Sequence, residues 1–142
     1  MNLDDIYSET IMDHSQSPRN YGHLDQPAKI AGLRNPTCGD QIILELTIEG
    51  DVITDIRFSG KGCSISIASA SMLTQAIRGK KIRDALTFSS NFKASITGGN
   101  SNVDLGEMEA LRGVSQFPNR VKCASLSINA LEKAINEYSD GI

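Results

Sequence analysis

Hydrophobic and polar positions change period along this chain, and the changes divide it into a helix, a run of strands and a helical remainder. Near the N-terminus Leu3, Ile6, Tyr7, Ile11 and His14 fall on one stripe, which predicts an amphipathic helix over 3–14. Asn2 can cap it, and Asp4 and Asp5 suit the positive end of its dipole. Pro18 and Gly22 punctuate the loop that follows. Residues 28–34 form a short first strand. Ile42, Leu44, Leu46 and Ile48 then alternate over 41–48, and Val52, Thr54, Ile56 and Phe58 over 52–58. Glu49-Gly50-Asp51 is a tight turn between the two, so the pattern predicts a hairpin extended to three antiparallel strands.

From residue 64 the period is helical. Ile65, Ala68, Met72, Ala76 and Ile77 define a stripe, the small residues Ala68-Ser69-Ala70-Ser71 permit close packing, and Gly79 stops the helix. A second helix is expected from Lys81 to Ile96, a loop over 97–102, a short helix from Leu105 to Leu111 ended by Gly113, and a last helix over 123–138. That last helix carries Ala124, Ile128, Leu131, Ile135 and Tyr138 at helical spacing. The order gives an α+β class: a three-stranded antiparallel sheet packed against several helices, in a single domain over 1–142.

Composition narrows the function classes. A net charge of −3 creates no field that would draw the chain to nucleic acid or an anionic membrane. The basic pairs Lys80-Lys81 and Arg120/Lys122 are too few for a nucleic-acid surface. No apolar run approaches the ~20 residues of a membrane span, and the acidic start lacks a signal peptide's basic and apolar regions. Three cysteines, an odd number, argue against a disulfide framework, so a cytoplasmic protein with reduced thiols is expected.

Those cysteines carry the chemical signal. Cys38, Cys63 and Cys123 all lie at breaks between regular elements, in stretches rich in Gly, Pro or basic residues, whereas a structural cysteine is usually buried in an apolar run. Cys63 and Cys123 are placed at the first turn of a helix, where unpaired N–H groups and the dipole favour thiolate. Cys38 lies in a loop beside Gly39, which permits close backbone approach. With Asp40 they offer three thiolates and a carboxylate, enough for a tetrahedral metal site. No Cys-x-x-Cys pair exists, so the residues alone leave open a metal site or ordinary thiols. His14 is expected to pack or cap its helix, and His23 to be solvated. Gly98-Gly99 lacks a phosphate-binding pattern and reads as a connector.

The segments Ser17-Pro18-Arg19-Asn20-Tyr21-Gly22, Asn35-Pro36-Thr37-Cys38-Gly39-Asp40, Gly60-Lys61-Gly62-Cys63-Ser64-Ile65-Ser66, Ala68-Ser69-Ala70-Ser71-Met72 and Arg120-Val121-Lys122-Cys123-Ala124 together resemble the NifU/IscU family of iron–sulfur cluster assembly proteins. Two features resemble its SufU-like form. Lys122 stands before the third cysteine where IscU-type scaffolds have His, and the span from Cys63 to Cys123 is longer, including Leu105 to Leu111.

The resemblance implies a zinc-dependent sulfurtransferase that takes persulfide sulfur from a pyridoxal-phosphate (PLP) cysteine desulfurase of the SufS-like kind. Cys38 is assigned as acceptor, because its Gly-flanked loop moves more easily than a helix end. Cys38, Asp40, Cys63 and Cys123 are the expected Zn2+ ligands, and Arg120 and Lys122 either steady Asp40 or a thiolate or are simply solvated. The alternative is a scaffold that builds a [2Fe-2S] cluster on the same thiolates and passes it to other cluster assembly proteins. A third reading is a structural zinc adaptor. Neither nucleic acid nor membrane is an expected partner.

Overall fold

The structure, a computed structural model, describes residues 8–35, 39–99 and 104–140. Its sheet has the order β1 (Lys29–Arg34), β2 (Gln41–Glu49) and β3 (Val52–Lys61), antiparallel throughout. Ala31, Leu44 and Phe58 lie side by side across it, and with Ile42, Leu46 and Ile56 they form the buried face. Gly50 turns β2 into β3 at φ +63°, a left-handed conformation that costs glycine little.

The alternation expected for β3 breaks at its start. Thr47 pairs with Asp55 and Ile48 with Ile53, so Thr54 is an extra residue, and its hydroxyl donates to Thr47 O at 3.2 Å. This β-bulge shifts the phase by one residue: Ile53, and not Val52 or Thr54, joins Ile56 and Phe58 in the core. The strand also runs on to Lys61, three residues past the expected end.

Helix α1 (Glu9–Gln16) begins later than the stripe predicts. Ser8 is extended, and its hydroxyl accepts from Ile11 N–H, so Ser8 caps this helix, while Asn2, the expected cap, lies outside the described residues. Leu3, Ile6 and Tyr7, with the acidic pair Asp4 and Asp5, lie outside the described residues. Helices α2 (Ser64–Ile77) and α3 (Ile82–Ile96) match expectation. Helix α4 (Pro118–Asp140) starts five residues before its expected beginning, because Pro118 opens it. A proline at the first helical position lacks an N–H that would be unpaired anyway, and its fixed φ suits the helix. The expected short helix at Leu105–Leu111 is a 3-10 segment, Gly106–Gln116, which runs through Gly113. Of the loop over 97–102, only Thr97, Gly98 and Gly99 are described.

Helices α2 and α4 pack on the buried face and on each other, and α1 packs on α2. Small residues let α2 and α4 approach: Ser69 donates to Ala124 O at 2.7 Å and meets Ser127 Oγ at 3.1 Å. Residues 20–22 pair with the outer edge of β3, Tyr21 bridging Phe58 in parallel. Asn20, at φ +60°, accepts on its carbonyl from Phe58 N–H, Gly22 N–H donates to Phe58 O, and the Tyr21 hydroxyl donates to Gly60 O. The carboxylate of Glu45, buried in mid-strand, accepts from Leu24 N–H at 3.0 Å and meets His23 Nδ1 at 2.5 Å. His23 is exposed as expected, yet it is tied down at one nitrogen.

His14 is fully buried. Its Nδ1 lies 2.7 Å from Ser71 Oγ and its Nε2 lies 3.0 Å from Glu107 Oε2. The packing role is thus the observed one.

Candidate metal centre

One end of the sheet assembles three ligand-bearing side chains. The hairpin β2–β3 finishes with Gln41 opposite Lys61, so the residue before β2, Asp40, lies beside the segment that follows β3. Two residues past Lys61 comes Cys63, the N-cap of α2. Helix α4, stitched to α2 by Ser69, brings Cys123 to the same place. One carboxylate oxygen of Asp40 and the sulfurs of Cys63 and Cys123 all lie within 4.8 Å of one another. Asp40 and Cys123 are buried and Cys63 is half-buried.

Close approach here depends on glycine. A Cβ on Gly62 would stand 2.9 Å from Asp40 Cγ and 3.1 Å from Ser66 Cβ, so only a hydrogen leaves the carboxylate its position. At Gly60 (φ +129°) a Cβ would stand 2.1 Å from Gln41 O, inside the hairpin's own hydrogen bonding.

Hydrogen bonds hold the carboxylate from both sides. Asp40 Oδ1 accepts from Cys63 N–H at 3.3 Å, and Oδ2 accepts from the Ser66 hydroxyl at 2.5 Å. Ser66 Oγ also lies 3.6 Å from Cys63 Sγ and 3.4 Å from Cys123 O. The Cys63 thiol is held below its ordinary value, to about 6. Its hydrogen bond with Cys123 is the chief cause, and the Ser66 N–H adds to it, while burial and the Asp40 charge act the other way. A thiolate is therefore available at neutral pH.

The two cysteines differ from each other more than expected. Cys63 does sit at a helix start, but Cys123 lies in the second turn of α4, with its sulfur 3.5 Å from Asn119 O. Cys123 thus gains less from the helix dipole, which fades beyond the first turn. Cys38 lies outside the described residues, in the connection between Arg34 and Gln41. The loop residues flanking it are tied: Gly39 N–H donates to Asn35 O and Asn35 N–H to Asp40 O, both at 2.8 Å. Gly39 takes φ +76°, with no described heavy atom within 4 Å of where a Cβ would stand. Arg120 is half-buried in the first turn of α4, and Lys122 is exposed.

Two buried or half-buried sulfurs and a carboxylate, with a third cysteine two residues from that carboxylate, fit a thiophilic divalent ion. Ser66 was missed in the sequence. The signal for it was the spacing Cys63-x-x-Ser66, which at a helix start puts both residues on one face.

The family model for the NifU-like N terminal domain matches residues 6–141. The chain is 49% identical over 142 residues to the zinc-dependent sulfurtransferase SufU of Bacillus subtilis (strain 168), covering 99% of this chain and 96% of that protein. It is 43% identical to the iron-sulfur cluster assembly scaffold protein IscU of Streptococcus pyogenes serotype M1, covering 97% and 87%. Among solved structures it resembles a putative iron-sulfur cluster assembly scaffold protein for the SUF system from Fervidobacterium islandicum AW-1. There the TM-score is 0.89 at 33% identity, covering 94% of this chain and 99% of that one.

Proposed function

Because the chain belongs to the NifU-like N-terminal domain family, in its SufU-like form, we propose that it is a zinc-dependent sulfurtransferase of iron–sulfur cluster assembly, with Cys38 as sulfur acceptor. The observation that carries this reading is the convergence of Asp40, Cys63 and Cys123 within 4.8 Å, beside the connection that contains Cys38. Cys38, Asp40, Cys63 and Cys123 would hold the ion. Zinc, when bound, supplies no redox chemistry and keeps thiolates deprotonated.

The donor is the persulfide of a PLP-dependent cysteine desulfurase of the SufS-like kind. The Cys38 thiolate attacks the outer sulfur of that persulfide. A new S–S bond forms at Cys38, the enzyme's S–S bond breaks, and the enzyme's cysteine departs as thiolate, so the exchange needs no outside oxidant or reductant. Cys38 suits this task because Gly39 beside it has no described heavy atom within 4 Å of where a Cβ would stand, while Cys63 and Cys123 are anchored on helices. Arg120, half-buried one turn before Cys123, steadies the carboxylate or a thiolate, and exposed Lys122 adds positive charge at the rim.

Residues 1–142 act as one domain in this reading, and the protein works in the cytoplasm. No helix among the described residues is long and apolar enough to cross a membrane.

The test is transfer of labelled sulfur. Cys38→Ser should abolish acceptance and the stimulation of a desulfurase, because a hydroxyl is a far poorer nucleophile toward sulfur than a thiolate. Normal transfer to the Cys38→Ser protein would overturn the assignment. The second reading, a [2Fe-2S] scaffold serving other assembly proteins, is favoured by the streptococcal relative's name and by thiolates that suit either metal form. A wild-type protein that accepts no sulfur yet holds a transferable cluster after anaerobic reconstitution would establish it.

A further inference from the structure

We propose that Ser66 is the positioning residue of the metal centre: its hydroxyl fixes the Asp40 carboxylate in the pose from which it serves as a ligand. The inference rests on the metal half of the reading above and names a residue which that reading leaves without a role.

Ser66 is fully buried in the first turn of α2. Its oxygen is within 3.6 Å of atoms from all three ligand-bearing residues: Asp40 Oδ2 at 2.5 Å, Cys123 O at 3.4 Å and Cys63 Sγ at 3.6 Å. The hydroxyl has one proton to give. Asp40 is both the nearest acceptor and a formal anion, and charge-assisted O–H···O⁻ bonds are the short, strong ones. The proton therefore goes to Oδ2. With Oδ1 held by Cys63 N–H on its other side, the carboxylate has a fixed rotation.

Rotation matters because Asp40 sits in the loop that precedes β2, whereas both described cysteines sit on helices. Ser66 is a side-chain tie between that loop and α2. An aspartate free to turn about its side-chain bonds would present either oxygen, or both, to the ion. Held by Ser66 on one oxygen and Cys63 N–H on the other, it keeps one pose. A hydroxyl gives the helix itself nothing that alanine would not, since serine is the poorer helix former. Gly62 supports the same contact, because the space a Cβ would fill there is shared by Asp40 and Ser66.

The test is a double-mutant cycle on the full chain, read as zinc affinity by competition with a chromophoric chelator under anaerobic conditions. Ser66→Ala should weaken zinc binding by about ten- to a hundredfold, the usual effect of losing a partner that orients a ligand. In the Asp40→Ala background Ser66→Ala should change affinity by less than about threefold, because the group it acts through is gone. This double variant leaves no orphaned carboxylate, and Ser66→Ala, should it be unstable without metal, is purified zinc-loaded and its affinity read by chelator extraction. Cobalt(II) substitution gives a second readout. The ligand-field bands of Ser66→Ala should change in intensity while the thiolate-to-cobalt charge-transfer bands stay as in the wild type.

Wild-type affinity in Ser66→Ala, or an equal loss in both backgrounds, overturns the proposal and leaves the metal reading intact. A wild-type protein that binds neither zinc nor cobalt overturns the metal reading and this proposal together. Zinc binding without sulfur acceptance overturns only the carrier role.

Discussion

His14 Nε2 meets Glu107 Oε2 at 3.0 Å, a contact that fastens α1 to the 3-10 segment across most of the chain. A carboxylate can only accept, so Nε2 carries a proton, and Nδ1 is left to share the Ser71 hydroxyl at 2.7 Å. Ser71 Oγ in turn accepts from Arg19 N–H at 2.8 Å. Removing the imidazole would open a cavity and leave Ser71 short of a partner. His14→Ala should therefore cost about 3 kcal/mol. Glu107→Gln keeps an acceptor on a largely exposed side chain and should cost less than about 1 kcal/mol. Urea melts of the two variants give the comparison, and equal losses would contradict it.

Metal removal should lower stability without unfolding the chain. The core includes Phe58, Phe92, Leu73 and Leu131, all fully buried and none of them a ligand, so the fold does not rest on the ion alone. Binding energy at the site is still linked to folding, since the ligands are gathered only in the native state. Verified chelation should shift the melting curve down while leaving one cooperative transition. Asp40→Ala should reduce the size of that shift.

Asp55 gives a stability contribution with a defined pH window. Burial alone would raise its pKa, but the Ile56 N–H and the guanidiniums of Arg57 and Arg78 more than reverse this, and the carboxyl is held below its ordinary 3.8. A lowered native value means that the folded state prefers the charged form. The stabilisation is complete above the ordinary value and fades as pH falls through the lower native one. Asp55→Asn should thus be less stable than the wild type at pH 7, with the gap closing only below about pH 4. Melting temperatures of both proteins from pH 7 to pH 2.5 provide the measurement, and a gap that persists undiminished to pH 2.5 would contradict it.

Gly60 and Gly62 are two residues apart and should fail differently. Gly60→Ala meets Gln41 O at 2.1 Å in a left-handed conformation, a clash with backbone, and should cost at least about 3 kcal/mol of stability. Gly62→Ala pushes against the Asp40 and Ser66 side chains and should weaken zinc binding more than it lowers the melting point. Urea melts and zinc titrations on both variants separate the two.

Much of this was legible in the residues. The alternation of Ile42, Leu44 and Leu46 gave the central strand, and Gly50 its turn, because local periodicity and turn chemistry agree there. The convergence of Asp40, Cys63 and Cys123 followed from motifs, since no spacing rule links positions so far apart. What stayed hidden was set by packing. Pro118 can punctuate a loop or open a helix, and only the preceding 3-10 segment, ending at Gln116, makes it an opener. Glu107 as the partner of His14, and Ser66 as that of Asp40, are long-range pairs that one sequence does not announce. The bulge at Thr54 was invisible because Val52 and Ile53 are equally apolar, and either phase fits the letters.

That bulge reaches further than its own turn. A strand pair with regular alternation can slide by two residues and keep every side chain on its proper face, moving its ends by about 7 Å. Here sliding would carry Thr54 away from Thr47 and break the phase that points Ile53, Ile56 and Phe58 inward. The extra residue works as a ratchet tooth that admits one alignment of β2 with β3. Since Gln41 opposite Lys61 is the far end of that same alignment, an irregularity beside the turn sets how far Asp40 stands from Cys63 at the other end of the hairpin.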